Sequence, residues 1–219
     1  MTPTTPAAIL WDMDGTLIDS EPYWMQAESE LVTSFGGTWT VDDGRQLIGT
    51  GLYQSAPYFQ SKGVDLPARD IVETLSASVL DHLRRETPWR PGVLDLIDSL
   101  NSAGIPSVIV TMSLRPAATF IAEKLGIRHI ISGSDVTNEK PHPEAYLLGA
   151  ALAAADAESC VAIEDSLNGL ASAVASGART LAVPSHQHLP ESPDYTLWPT
   201  LAGRTTDDII GLYRERKAA

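Results

Sequence analysis

Three short apolar runs, each ending on a small polar or acidic residue, constrain this chain most. Ala7 to Trp11 ends at Asp12, Pro106 to Val110 ends at Thr111, and Cys160 to Ile163 ends at Glu164 and Asp165. A run of four or five apolar residues without alternation, bounded by turn residues, is the pattern of a strand buried on both faces of a parallel sheet. Helical periodicity fills the intervals. Val93, Leu96, Ile97 and Leu100 share one face before Gly104, and Ala117, Ile121 and Leu125 recur at four-residue spacing before Gly126. Leu167, Leu170, Ala171 and Val174 are expected to share a face before Gly177, and a further helical run is expected from Glu144 to Ala154. Strands alternating with helices imply an α/β fold built on a doubly wound parallel sheet. Such sheets bind ligands beyond the carboxyl ends of their strands, where Asp12, Thr111 and Asp165 all fall.

The stretch from 19 to 91 breaks the alternation. Ser20 is placed to cap a helix carrying Trp24, Ala27 and Leu31 on one face, and a second helix is expected from Ala68 to Arg85. The segment LIGTGL, 47–52, reads as a loop between them. The expected organisation is therefore a core of residues 1–18 and 92–219 with a smaller, all-helical cap at 19–91. Tyr195 to Trp198 reads as a late edge strand and Thr205 to Glu215 as a closing helix.

The balance of charge narrows the partners. With 15 Lys and Arg against 28 Asp and Glu, the formal net charge is -13. Such a surface repels nucleic-acid phosphates and anionic lipid, so neither is an expected partner. The single cysteine, Cys160, excludes an intrachain disulfide and a multi-thiolate zinc site, and is expected to be a small core residue. The first residues lack a basic stretch followed by an apolar core, and no segment approaches eighteen apolar residues, so a cytoplasmic protein, monomer or weak dimer, is expected.

The chemistry lies in acids at strand ends. Asp12 and Asp14 stand one residue apart directly after a buried strand, and two carboxylates held together call for a hard divalent cation. Glu164 and Asp165 end another core strand and extend an oxygen-ligand set. Lys140, in EKPHPEAY, is followed by two prolines that fix the chain, and would neutralise Asp12 and attract phosphate. Thr111, with the backbone N–H groups after it at Met112 and Ser113, is placed to hold phosphate oxygens. His142, His186 and His188 read as loop residues.

DMDGT, VIVTMS, EKPHPEAY and IEDSLNG, in that order, resemble the four motifs of the haloacid dehalogenase superfamily. The helical insert resembles that family's cap, and DSEPYWMQAE and RRETPWRPGV are similar to bacterial hexitol-phosphate and deoxysugar-phosphate phosphatases. The resemblance implies a Rossmann-like core, magnesium (Mg2+) as cofactor, and a small phosphorylated metabolite, a sugar or polyol phosphate, as substrate. It further implies Asp12 as the nucleophile and Asp14 as the acid and base. Thr111 and Lys140 would bind phosphate and offset transition-state charge. Magnesium would rest on Asp12, the main-chain carbonyl of Asp14 and Asp165, with Glu164 a direct or indirect ligand. The family's dehalogenases lack the second aspartate, so Asp14 favours phosphoryl transfer. The family's phosphomutase branch carries a cap histidine where this chain has Trp24, which is expected to face the substrate. It also carries basic residues where this chain has Ile48 and Leu52. An uncharged cap pocket and an Asp14 free to activate water are therefore expected, favouring hydrolysis over mutase chemistry; a non-catalytic binding role is the further alternative. Removing Lys140 is expected to harm catalysis far more than folding.

Overall fold

The first apolar run becomes β1 (Ala8–Trp11), fully buried as its composition requires. In this computed structural model, which describes residues 4–215, four helices follow: α1 (Glu21–Ser34), α2 (Val41–Arg45), α3 (Leu52–Ser61) and α4 (Ala68–Arg85). Alternation then resumes with α5 (Val93–Ser102), β2 (Ser107–Val110), α6 (Arg115–Leu125), β3 (His129–Ile131), α7 (Glu144–Leu152), β4 (Cys160–Glu164), α8 (Leu167–Ala175) and β5 (Arg179–Ala182). A short β6 (Thr196–Leu197) and α9 (Thr206–Arg214) close the chain.

The six strands pair in the order β3-β2-β1-β4-β5-β6, all parallel. β1 lies at the centre, with Leu10 opposite Val108 on one side and Ala162 on the other. Alternate residues of each strand face opposite ways, so the sheet divides two cores. Ile9, Trp11, Ile109 and Ile163 face α5, α6 and α9, a core that continues into the helices after β1. Leu10, Val108, Val110 and Ala162 face α7 and α8, with Tyr146 as the largest side chain. Trp11 carries its polar atom into the core satisfied, donating from Nε1 to Ser107 Oγ at 3.1 Å.

The strands and helices expected from periodicity are present, with α4 over the anticipated residues, and Cys160 is a buried core residue. Four features differ. The stretch between β1 and α5 holds four helices rather than two. α2 spans five residues and α3 contains Pro57, so neither shows a sustained periodic stripe. The strands β3 and β5 lack an uninterrupted apolar run, since one begins at exposed His129 and the other at Arg179. The buried face of α8 is Gly169, Leu170, Ser172 and Ala173, while Leu167 and Ala171 are exposed. Small residues let that helix approach the sheet more closely than a leucine stripe would. Ser20 stands at the N-cap of α1 without capping it through its side chain; its hydroxyl is used elsewhere. Among the described residues no helix is long and apolar enough to cross a membrane.

α7 makes the same close approach. A Cβ on Gly149 would stand 2.7 Å from Val110 Cγ2 and 3.6 Å from Leu10 Cδ2. Gly149→Val should therefore overpack the sheet and cost about 1–3 kcal/mol. A lowered denaturant midpoint with an unchanged slope checks this; an unchanged midpoint would mean the helix can lift off at no cost.

Candidate active site

β1, β2 and β4 end at one level, and their next residues converge. Asp12 is bound in place by its N–H to Ile163 O at 3.0 Å, and Thr111 by its N–H to Ile131 O at 2.9 Å. Gly15 turns the chain after β1 at φ +88, and a Cβ there would collide with the Asp165 carboxylate, so glycine is required on both counts. Asp12, Asp14, Thr111, Met112, Ser113, Lys140, Asp165 and Trp24, the residues expected to form the site, all line one pocket. Glu164 lies beneath them, completely buried.

Lys140 is only 6% exposed, and its ammonium spends its three protons on Glu164 Oε1 at 2.6 Å, Asp12 Oδ1 at 2.8 Å and the Val110 carbonyl at 2.9 Å. Burial alone would lower its pKa; the carboxylates of Asp12 and Glu164 outweigh that and raise it. Glu164 is saturated. Oε1 also accepts from Tyr146 Oη at 2.8 Å, and Oε2 accepts from the N–H groups of Asp165 and Ser166 and from Ser166 Oγ. Gly169 is needed beside it, since a Cβ there would overlap the Glu164 carboxylate.

Asp12 is different. One oxygen faces Lys140, while Oδ2 is buried and has no hydrogen-bond partner. Burial and the charge of Glu164, opposed by Lys140, push its pKa up to about 7. Asp165 is also raised, by burial and then by Asp12 and Glu164. Asp12, Glu164 and Asp165 each offer an oxygen within 4.8 Å of the others. Three acids against one lysine, all oxygen donors with one orphaned, suit a hard cation such as magnesium. Because both Glu164 oxygens are engaged, Asp12 and Asp165 have the free capacity.

The Asp14 carboxylate points away from this cluster toward the helices after β1. Oδ1 accepts from Ser20 Oγ at 2.6 Å and Trp24 Nε1 at 3.2 Å; Oδ2 accepts from Ser113 Oγ at 2.7 Å and Thr111 Oγ1 at 3.3 Å. An indole N–H thus contacts Asp14 at the position where the phosphomutase branch would place a histidine. Thr111 also accepts the Ser113 N–H at 3.0 Å, so its hydroxyl orders the loop as well as the site.

The cap side of the pocket carries acids that the sequence reading did not single out. Ile48 and Leu52 line it, yet so do Glu21 and Glu28 from α1. Glu28 is 8% exposed and accepts no hydrogen bond among the described residues; burial, then Glu21, push it up to about 8. Glu21 is raised to about 7, mainly by burial. The available signal was a glutamate at position 28 amid the buried residues Ala27, Leu31 and Val32 of a predicted helix. Of the loop histidines, His186 reaches the pocket rim and pairs with Asp19 at 2.6 Å.

Comparison with known proteins agrees with this geometry. The haloacid dehalogenase-like hydrolase family profile matches residues 6–177. The chain belongs to that family. Hexitol phosphatase B of Escherichia coli is 28% identical over 225 aligned residues, spanning 96% of this chain and 99% of the relative. Protein CbbY of Cereibacter sphaeroides is 32% identical over 192 residues, spanning 81% and 84%. The crystal structure of CbbY from Rhodobacter sphaeroides in complex with xylulose-1,5-bisphosphate superimposes with a TM-score of 0.81 at 26% identity, covering 91% of this chain and 96% of that one.

Two outcomes test the electrostatics. Lys140→Ala leaves two buried carboxylates unpaired, so it should cost about 3–5 kcal/mol of stability. Catalysis is still expected to suffer more than folding, and an unaltered melting temperature would contradict the stability cost. Glu28 holds its proton in the folded state up to about pH 8, against an ordinary value of 4.5. Its contribution to stability is full below the lower value and is lost as pH rises through the upper one. Glu28→Gln should therefore gain stability relative to the parent progressively across that window, as thermal melts over a pH series would show; a pH-independent difference would refute it.

Proposed function

We propose that this hydrolase is a magnesium-dependent phosphatase that cleaves phosphate monoesters of small metabolites, sugar or polyol phosphates, through an aspartyl phosphate on Asp12. The observation that carries the proposal is Asp12 itself. It is a buried carboxylate with one oxygen held by Lys140 and the other unpartnered, at the floor of a pocket, with a second aspartate one residue away. The phosphatase relatives support the same reaction class, as does the CbbY structure holding a phosphorylated sugar.

Asp12 attacks phosphorus, and the ester oxygen leaves. Asp14, lining the same pocket, protonates that oxygen and then takes a proton from the water that hydrolyses the phosphoenzyme. Ser20, Trp24, Thr111 and Ser113 hold its carboxylate in place for both steps. Lys140 keeps Asp12 oriented and offsets charge on the transferring group, with Thr111, Met112 and Ser113 forming the phosphate cradle. Magnesium would be held by the carboxylates of Asp12 and Asp165 and the main-chain carbonyl of Asp14. It would supply charge neutralisation between nucleophile and phosphate. Glu164 acts from below, through Lys140. The cap comprises 19–91, and the core comprises 1–18 and 92–219.

Asp12→Asn replaces the nucleophile with an amide and should lower kcat by a factor on the order of thousands or more. Excess chelator should abolish phosphate release from an aryl phosphate, and added magnesium should restore it. Near-normal turnover of the variant, or full activity in chelator, would refute the assignment.

A further inference from the structure

We infer that Glu21 and Glu28 form the subsite for the alcohol half of the substrate, and that they restrict this enzyme to monoesters of uncharged polyols and sugars. The inference rests on the phosphatase reading above and adds the residues that choose the substrate. Positions 21, 24 and 28 are spaced by three and four, which places them on one face of α1. All three line the pocket that contains Asp12 and Asp14. Trp24 touches Asp14 directly, so the two glutamates flank the residue that joins α1 to the reacting groups.

The rest of the lining decides the sign of the ligand. Ile48, Gly49, Thr50 and Gly51 also line the pocket and carry no charge. The basic side chains lining the pocket are already engaged: Lys140 by Asp12 and Glu164, and the His186 ring by Asp19. A second phosphate or a carboxylate on the leaving group would meet two glutamates and no free partner. Negative charge there loses hydration and finds no cation to offset it, and the ionised fraction of Glu21 adds repulsion.

Glu28 supplies the attractive half. Glu28 is nine-tenths buried, lines the pocket and accepts no hydrogen bond among the described residues. A buried group with unfilled hydrogen-bonding capacity is completed by a ligand that carries donors. Burial keeps Glu28 largely protonated at neutral pH, so it both donates and accepts, and this suits hydroxyl groups better than an ammonium. A polyhydroxylated chain fills both carboxyls without placing a charge between them.

The test measures kcat/KM for the magnesium-loaded full chain on a hexitol monophosphate, a hexose bisphosphate, phosphoglycolate and phosphoethanolamine, with an aryl phosphate as reference. The expected result is a preference for the hexitol monophosphate of at least about tenfold over each of the other three metabolites. Glu28→Ala and Glu21→Ala, which remove both donor and acceptor, should raise KM for the hexitol ester more than they lower kcat. Glu28→Lys should shrink the discrimination against phosphoglycolate and the bisphosphate by about tenfold or more. Should a variant not fold, the preference of the unaltered enzyme decides alone. Equal use of the charged esters, a preference for the amine, or ratios unmoved in the folded variants would overturn the subsite while aryl phosphate hydrolysis kept the phosphatase assignment standing. No phosphate released from any ester, the aryl one included, would overturn both.

Discussion

A single buried ammonium holds the centre of this molecule together. Lys140 is shared between Asp12 and Glu164, from two different strands, and a main-chain carbonyl of a third. Its surroundings are otherwise acidic, and burial makes each carboxylate costly to ionise. The architecture around it follows from that constraint. Parallel strands bring the acids to one edge, the proline-flanked loop delivers the lysine, and Gly15 and Gly169 leave room for carboxylates where any side chain would collide. The charge remains unbalanced by the protein alone, and the orphaned Asp12 oxygen marks where a cation is wanted.

Asp14 links this charged floor to the helices above. Two of its hydrogen-bond donors, Thr111 and Ser113, belong to the loop after β2, and two, Ser20 and Trp24, to the start of α1. The helix that grips the acid and base also presents Glu21 and Glu28 to the same pocket. Under the proposed roles, positioning of the proton-transfer group and selection of the leaving group would both be built on one helix, an arrangement that holds a site more precisely than loops do.

The sheet and its acids were legible because a doubly buried strand leaves an uninterrupted apolar run, and a change to Asp or Glu at its end is conspicuous. Asp12, Thr111, Glu164 and Asp165 came from that pattern, and Lys140 from its fixed setting between acids and prolines. What escaped is instructive. β3, at the sheet edge, starts at His129, and β5, between β4 and β6, starts at Arg179, so a mixed sequence hid both. α3 includes Pro57 and α2 is barely one turn, so tertiary packing rather than local propensity makes them helical. Ser20 had the sequence of a cap, but a carboxylate from the preceding loop is the better acceptor for its hydroxyl. Glu28 was obscured because a charged residue inside a helical stripe is ordinarily read as solvent-facing.

The central claim is that Asp12 becomes phosphorylated. Quenching the enzyme in acid during turnover of a hexitol monophosphate, then mapping peptides by mass spectrometry, addresses it directly. The account predicts one phosphoryl group on the peptide carrying Asp12, released by hydroxylamine as an acyl phosphate must be, and absent from Asp12→Asn. Steady turnover with no labelled carboxylate, or a label on any other residue, would contradict it.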